Sequence, residues 1–185
     1  MMNKTLISLA CTMLLSISSF AANTNTNAVL TLPQVKAEQW VVTIGGTGVN
    51  DTKFDRTTQY GMDLSLGRTG HLLLPMEAGI RQSINYSDAL NAYNKNGVIL
   101  NTKAYADWTL LSYKRVDLFA GGNIGAIYGN TTLGWEGAPE LGIRFNINKN
   151  LALIARAEYT FNLASCTVSP GQDTIRYFAG LSLRW

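Results

Sequence analysis

The side chains able to do chemistry in this chain are few and poorly grouped. It has one histidine, His71, and two cysteines, Cys11 and Cys166. A serine–histidine mechanism needs an imidazole within hydrogen-bond reach of its nucleophile. A zinc site needs three or four His, Cys or carboxylate ligands. A lone histidine and two distant cysteines make neither set. Gly45-Gly46-Thr47-Gly48 has the small residues of a phosphate loop, but the lysine is missing and no helix follows. The expectation is therefore no catalytic residues, no metal and no cofactor. The net charge of +3 is too small to point to nucleic acid.

The charged residues are better ordered, because they recur at every second position within apolar stretches. Alternation of this kind places one set of side chains on each face of a strand. One face collects Asp63, Glu77, Asp107, Asp117, Glu140 and Glu158 together with Arg81, Lys103, Arg144, Arg156, Arg176 and Arg184. The two signs balance, so the expected use is mutual pairing and not reaction. Buried unpaired charge is costly, and a structural ion-pair network is the simpler reading than a catalytic carboxylate pair. In particular, Glu140 and Arg156 are expected to face each other across a short turn near Asn148.

The elements that carry these residues are short strands. Residues 1–21 read as a secretory signal peptide: Lys4, an apolar run from Leu6 to Ile17, then Ser19-Phe20-Ala21 as a cleavage box. Cleavage there removes Cys11 and leaves Cys166 without an internal partner. Cys166 is then a cross-linking or modification site or, more simply, an unpaired thiol in a loop. Residues 22–37 are polar and read as a flexible periplasmic segment, and 38–185 as the folded domain. Alternation predicts strands over 39–48, 58–68, 72–86, 98–111, 116–128, 134–146, 151–161 and 175–185. Tight turns are expected at 68–71, 112–115 and 146–150, and an interruption or bulge near Pro75 at the start of the third strand. The loops 49–57, 87–97 and 162–174 are longer. The uncharged run 118–135 holds five glycines, which makes it a poor membrane helix. An exported chain with alternating strands and no apolar helix can still span a membrane, as a closed barrel.

The last strand carries the most specific pattern. Ile175, Tyr177, Ala179, Leu181, Leu183 and Trp185 share one face, and Gly180 lies five residues before the final aromatic. Phe178 interrupts the polar face, as Phe119 does in the fifth strand. With the glycine-rich fifth strand, the segment Gly134-Trp135-Glu136-Gly137-Ala138-Pro139-Glu140, the turn Asn148-Lys149-Asn150 and the segment Arg156-Ala157-Glu158-Tyr159, this pattern resembles the small outer-membrane barrels of the OmpA, OmpX and opacity-protein type.

The fold expected is all-β: an eight-stranded antiparallel up-and-down transmembrane β-barrel. The resemblance implies a bacterial outer-membrane location and insertion by the barrel assembly machinery. Tyr177, Gly180, Leu181, Leu183 and Trp185 then form the assembly signal. The partners expected are membrane lipid, lipopolysaccharide and a protein ligand met by the external loops. The function expected is that of a structural or interaction barrel with a lumen filled by polar side chains. The alternatives are a narrow channel for small solutes and a lipid-modifying enzyme. The enzyme is disfavoured because His71 falls in a turn on the periplasmic side, away from the external headgroups.

Overall fold

A computed structural model of the protein describes residues 38–51, 59–86, 98–129, 132–164 and 174–185. The expectations for residues 1–37, for the whole of loop 87–97, for most of loops 49–57 and 162–174 and for Cys166 lie outside these residues. The described chain forms β1 (Trp40–Asp51), β2 (Gln59–Leu72), β3 (Leu74–Tyr86), β4 (Val98–Tyr113), β5 (Val116–Gly129), β6 (Thr132–Asn146), β7 (Leu151–Ala164) and β8 (Thr174–Arg184). Each strand pairs antiparallel with its neighbours in sequence, and β8 returns to β1 to close the sheet. The seam is extended by two backbone hydrogen bonds between Trp40 and Trp185, of 3.0 and 3.1 Å.

Closure sorts the two faces by chemistry. Leu64, Leu66, Ile80, Ile84, Ile124, Leu141, Ile143 and Leu181 are exposed on the outside, while charged and polar residues fill the inside. Aromatic side chains stand at both margins of this apolar belt. Tyr60, Trp135 and Tyr177 lie toward the end that carries the longer connections, and Trp40, Phe145 and Trp185 toward the end with the short turns. Along β8, Tyr177 and Trp185 are eight residues apart, which at about 3.3 Å per residue and a tilt of about 40° is roughly 20 Å along the barrel axis. An apolar exterior is unfavourable in water and favourable in lipid, and a closed sheet leaves no unpaired edge. The fold is an all-β, eight-stranded up-and-down transmembrane barrel.

Several turns differ from the sequence expectation. Residues 68–71 are strand, because the β2–β3 ladder runs on to Leu72 opposite Leu74 and leaves Leu73, with φ of 65°, as the turn. Gln39 holds this segment extended: its backbone N–H donates to Thr69 Oγ1 and its carbonyl accepts from the Thr69 N–H, both at 2.8 Å. Pro75 causes no bulge. It lies beyond the last β3–β4 pair, Met76 with Trp108, so its missing N–H interrupts no bond of that ladder. The register shifts instead in β4, between Thr109 and Leu111, and between β6 and β7 near Trp135. Val49 to Asp51 and Asn162 to Ala164 continue β1 and β7 beyond the expected strand ends.

The β6–β7 turn sets which charges meet. Asn148 Oδ1 accepts from the backbone N–H groups of Asn150 and Leu151, both at 2.8 Å, which pulls the turn toward its C-terminal half. Glu140 is therefore opposite Glu158, and Arg156 opposite Gly142. The expected facing pair of Glu140 and Arg156 is displaced by two residues.

Candidate functional site

The barrel interior is held by a charge network that crosses the lumen. Arg81 on β3 grips Glu140 on β6 with both terminal nitrogens, at 2.8 and 3.2 Å, and reaches Glu158 on β7 at 3.1 Å. This two-pronged contact is the geometry a planar guanidinium offers a carboxylate. Glu158 also accepts from Lys103 and from Arg156 Nε, each at 3.1 Å, and lies 3.8 Å from Arg176. Arg156 Nη2 donates to Asp63 at 2.9 Å, and Asp107 lies 3.8 Å from Arg81. Arg81 is 2% exposed, Lys103 1% and Glu158 1%. Glu140 and Arg156 thus belong to one network, joined through Arg81 and Glu158 and not by a direct bond.

Glu136 belongs to this network and was absent from the sequence-derived set. It bonds Lys103 at 2.8 Å and Arg176 at 3.4 Å, and accepts from Asn101 Nδ2 at 3.1 Å. The signal was available: Glu136 has the same parity as Ala138, Glu140 and Arg144. Its presence removes the even balance of signs.

The two phenylalanines that broke the inward pattern have a common explanation. Phe119 lies opposite Gly142, where an added Cβ would come within 2.3 Å of its ring. Phe178 covers Gly45 and Gly180, which face each other across the seam, and a Cβ on them would come to 2.7 and 2.6 Å from its ring. Each ring occupies space that a glycine leaves open and presents its outer face to a cation: Arg144 at 5.3 Å from Phe119, Arg156 at 4.0 Å from Phe178. Tyr105 repeats the arrangement above Gly67 and beneath Arg81, at 4.4 Å. Gly45 through Gly48 lie within β1, so the glycines there serve the seam and not a phosphate loop.

Phe119, Phe178 and Ile154 form a buried apolar cluster. On β5, β7 and β8 it separates the central network from a second set of charges at the turn end. There Arg144 donates to Glu77 at 2.7 Å, and Tyr105 donates to the other Glu77 oxygen at 2.9 Å. Asp117 accepts from Ser112 at 2.7 Å and from Asn146 at 2.8 Å. The bulge at Leu110 makes the first contact possible, since it reverses the parity of β4 and turns Ser112 inward. Glu77, Ser112, Asp117, Arg144 and Asn146, with Lys114 and Arg184, line a cavity of about 460 Å³.

The positions named as an assembly signal divide between the faces. Tyr177, Leu181, Leu183 and Trp185 point outward, and Gly180 lies against Gly45. His71 is exposed at the turn end, paired with Pro75. Among the described residues no group of three or more His, Cys, Asp or Glu side chains is arranged to hold a metal ion.

No family model and no curated protein matches the chain. Among solved structures it is similar to Neisserial surface protein A, with 9% identity over 83% of this chain and 100% of that one, at a TM-score of 0.58. It is also similar to Ail of Yersinia pestis, with 12% identity over 82% and 100% at a TM-score of 0.47. OprG of Pseudomonas aeruginosa aligns with 11% identity over 81% and 97%, at 0.48. At such identities the likeness is one of fold, and the fold is that of the small eight-stranded outer-membrane barrels.

Proposed function

We propose that this small outer-membrane-type barrel is a structural and interaction protein, with a lumen sealed by side chains and with its partners met by the loops. The observation that carries the reading is the network around Arg81 and Glu158, in which β2, β3, β4, β6, β7 and β8 are tied across the lumen by side chains almost fully shielded from solvent. An eight-stranded barrel is just wide enough for its side chains to fill it. A sealed lumen leaves the connections at the loop end as the part of the protein free to vary in shape and chemistry. The position of His71, at the turn end, supports a role without catalysis. Export through a signal peptide ending at Ala21, and insertion guided by β8, belong to the same reading. N-terminal sequencing of the membrane-extracted protein is expected to start at Ala22.

A narrow channel is the competing reading, and planar-bilayer recording separates the two. The purified barrel is expected to show no sustained openings, while Arg81→Ala combined with Glu158→Ala is expected to show them. Steady openings in the unaltered protein overturn the sealed lumen. The loop role is tested by replacing residues 87–97 with a glycine–serine segment of equal length. The variant is expected to fold and to lose binding to lipopolysaccharide-coated surfaces, and unchanged binding removes that loop from the proposal.

A further inference from the structure

The turn-end cavity contains an unanswered charge. Among the described residues Arg81, Lys103, Arg144, Arg156 and Arg176 each make an ion pair within 4.0 Å, whereas Arg184 makes none. Arg184 is only 7% exposed, and its Nε is buried without a partner. A guanidinium withdrawn from water without a counter-charge is costly.

The nearby carboxylates are already engaged. Glu77 is held by Arg144 and Tyr105, and Asp117 by Ser112 and Asn146. The carboxylates of the central network are engaged as well, Glu140, Glu158 and Asp107 with Arg81 and Asp63 with Arg156. Arg144 and Arg184 thus share the cavity wall with two carboxylates that other donors already hold, while the Lys114 ammonium at its rim lies over the Tyr113 ring. A guanidinium fork matches the oxygens of a carboxylate or phosphate. The volume, about 460 Å³, exceeds what a bare ion needs and falls in the range of small-molecule sites. The rest of the wall, including Thr69, Thr109 and Gln39, offers hydroxyl and amide groups to a polar body.

We propose that this cavity binds a small solute bearing an oxyanion, a phosphate or a carboxylate, which enters from the turn side and places that group on Arg184. The site does not depend on the loop role, since it lies at the opposite end of the barrel. Side-chain NMR of the refolded barrel in neutral detergent tests it. The Arg184 Nε–H signal is followed during titration with inorganic phosphate or acetate, with ionic strength held by chloride. A parallel arm adds dihexanoyl phosphatidic acid, with dihexanoyl phosphatidylcholine as its control. The expected result is a saturable shift at Arg184 with phosphate or acetate, at least tenfold weaker in affinity when Arg184→Gln is examined through the neighbouring Arg144 and Asn146 signals. Saturation by phosphatidic acid alone identifies a lipid headgroup as the source of the same oxyanion. If Arg184→Gln does not refold, the unaltered protein decides: saturation confined to Arg184, Arg144, Lys114 and Asn146 supports the site. Linear shifts without saturation, or saturation only at the loop end, overturn it.

Discussion

Arg81 reaches from β3 to carboxylates on β6 and β7, so a change there acts on several strands at once. Its paired contact with Glu140 gives a double-mutant cycle a clear expectation. Glu140→Gln and Arg81→Gln each strand a buried charge, at a cost of about 3–5 kcal/mol, and the double variant recovers part of the combined loss. A cycle between Glu140 and Arg156, which share no bond, gives a smaller coupling. Urea unfolding in detergent or lipid measures both, and equal couplings would refute the network as drawn. Glu158 faces four cations within 4.0 Å, and Glu158→Gln is expected to cost at least as much as Glu140→Gln. The aromatic contacts make a separate prediction. Gly142→Ala places a methyl 2.3 Å from the Phe119 ring and 2.6 Å from the Ala155 carbonyl, which should cost about 1–3 kcal/mol as overpacking. Adding Phe119→Leu relieves the first contact but not the second, so only partial rescue is expected in the same unfolding assay.

At the scale of the element, β8 closes the sheet and presents its apolar face to lipid. The Trp185 backbone makes two hydrogen bonds to Trp40, and its side chain is exposed at the barrel margin. Backbone closure and recognition of the aromatic can therefore be separated. Trp185→Ala keeps the backbone bonds and removes the ring, whereas deletion removes both. If the ring is the assembly signal, Trp185→Ala lowers the yield of membrane-inserted barrel in cells while refolding in detergent proceeds nearly as before. Normal yield in cells would reassign the signal to the other outward residues of the strand. The β6–β7 hairpin shows a different control, because one asparagine side chain, Asn148, fixes the position of the turn and so decides which interior charges are neighbours.

For the whole molecule, closure and the inverted distribution of polarity act together. A barrel with paired edges and an ionic interior keeps its shape in detergent until heat opens the sheet. Unheated protein is expected to migrate differently on gels from heated protein, and its far-ultraviolet circular dichroism to be dominated by β-structure. A helical spectrum would contradict the fold. The cluster of Phe119, Ile154 and Phe178 stands between the two charge systems on β5, β7 and β8, while Tyr105 joins them on β3 and β4 through Glu77 and Arg81. Asp117, which bonds only neutral groups, is therefore the turn-end carboxylate least tied to the central network. Asp117→Asn is then expected to alter the environment of Arg184 with a smaller loss of stability than Glu158→Gln.

Alternation along each strand, read with the export signal, the count of eight strands and the aromatic-ended last strand, was enough to reach the closed all-β fold, the outward apolar belt and the inward position of most charges, because side-chain direction in a strand follows sequence parity. The same rule contained Glu136, whose parity matches Glu140. What parity cannot carry is distance across the lumen. The pairing of Arg81 with Glu140 and Glu158 joins residues remote in sequence, and only the closure of the barrel brings β3 against β6 and β7. Parity also fails where the backbone breaks its own count: the bulge at Leu110 turned Ser112 inward, and the Asn148 turn moved Glu140 away from Arg156. The inward phenylalanines looked like faults for a related reason, since their glycine partners lie on neighbouring strands. That Arg184 has no ion pair among the described residues is likewise a property of the fold, because a sequence shows charges but not which of them meet.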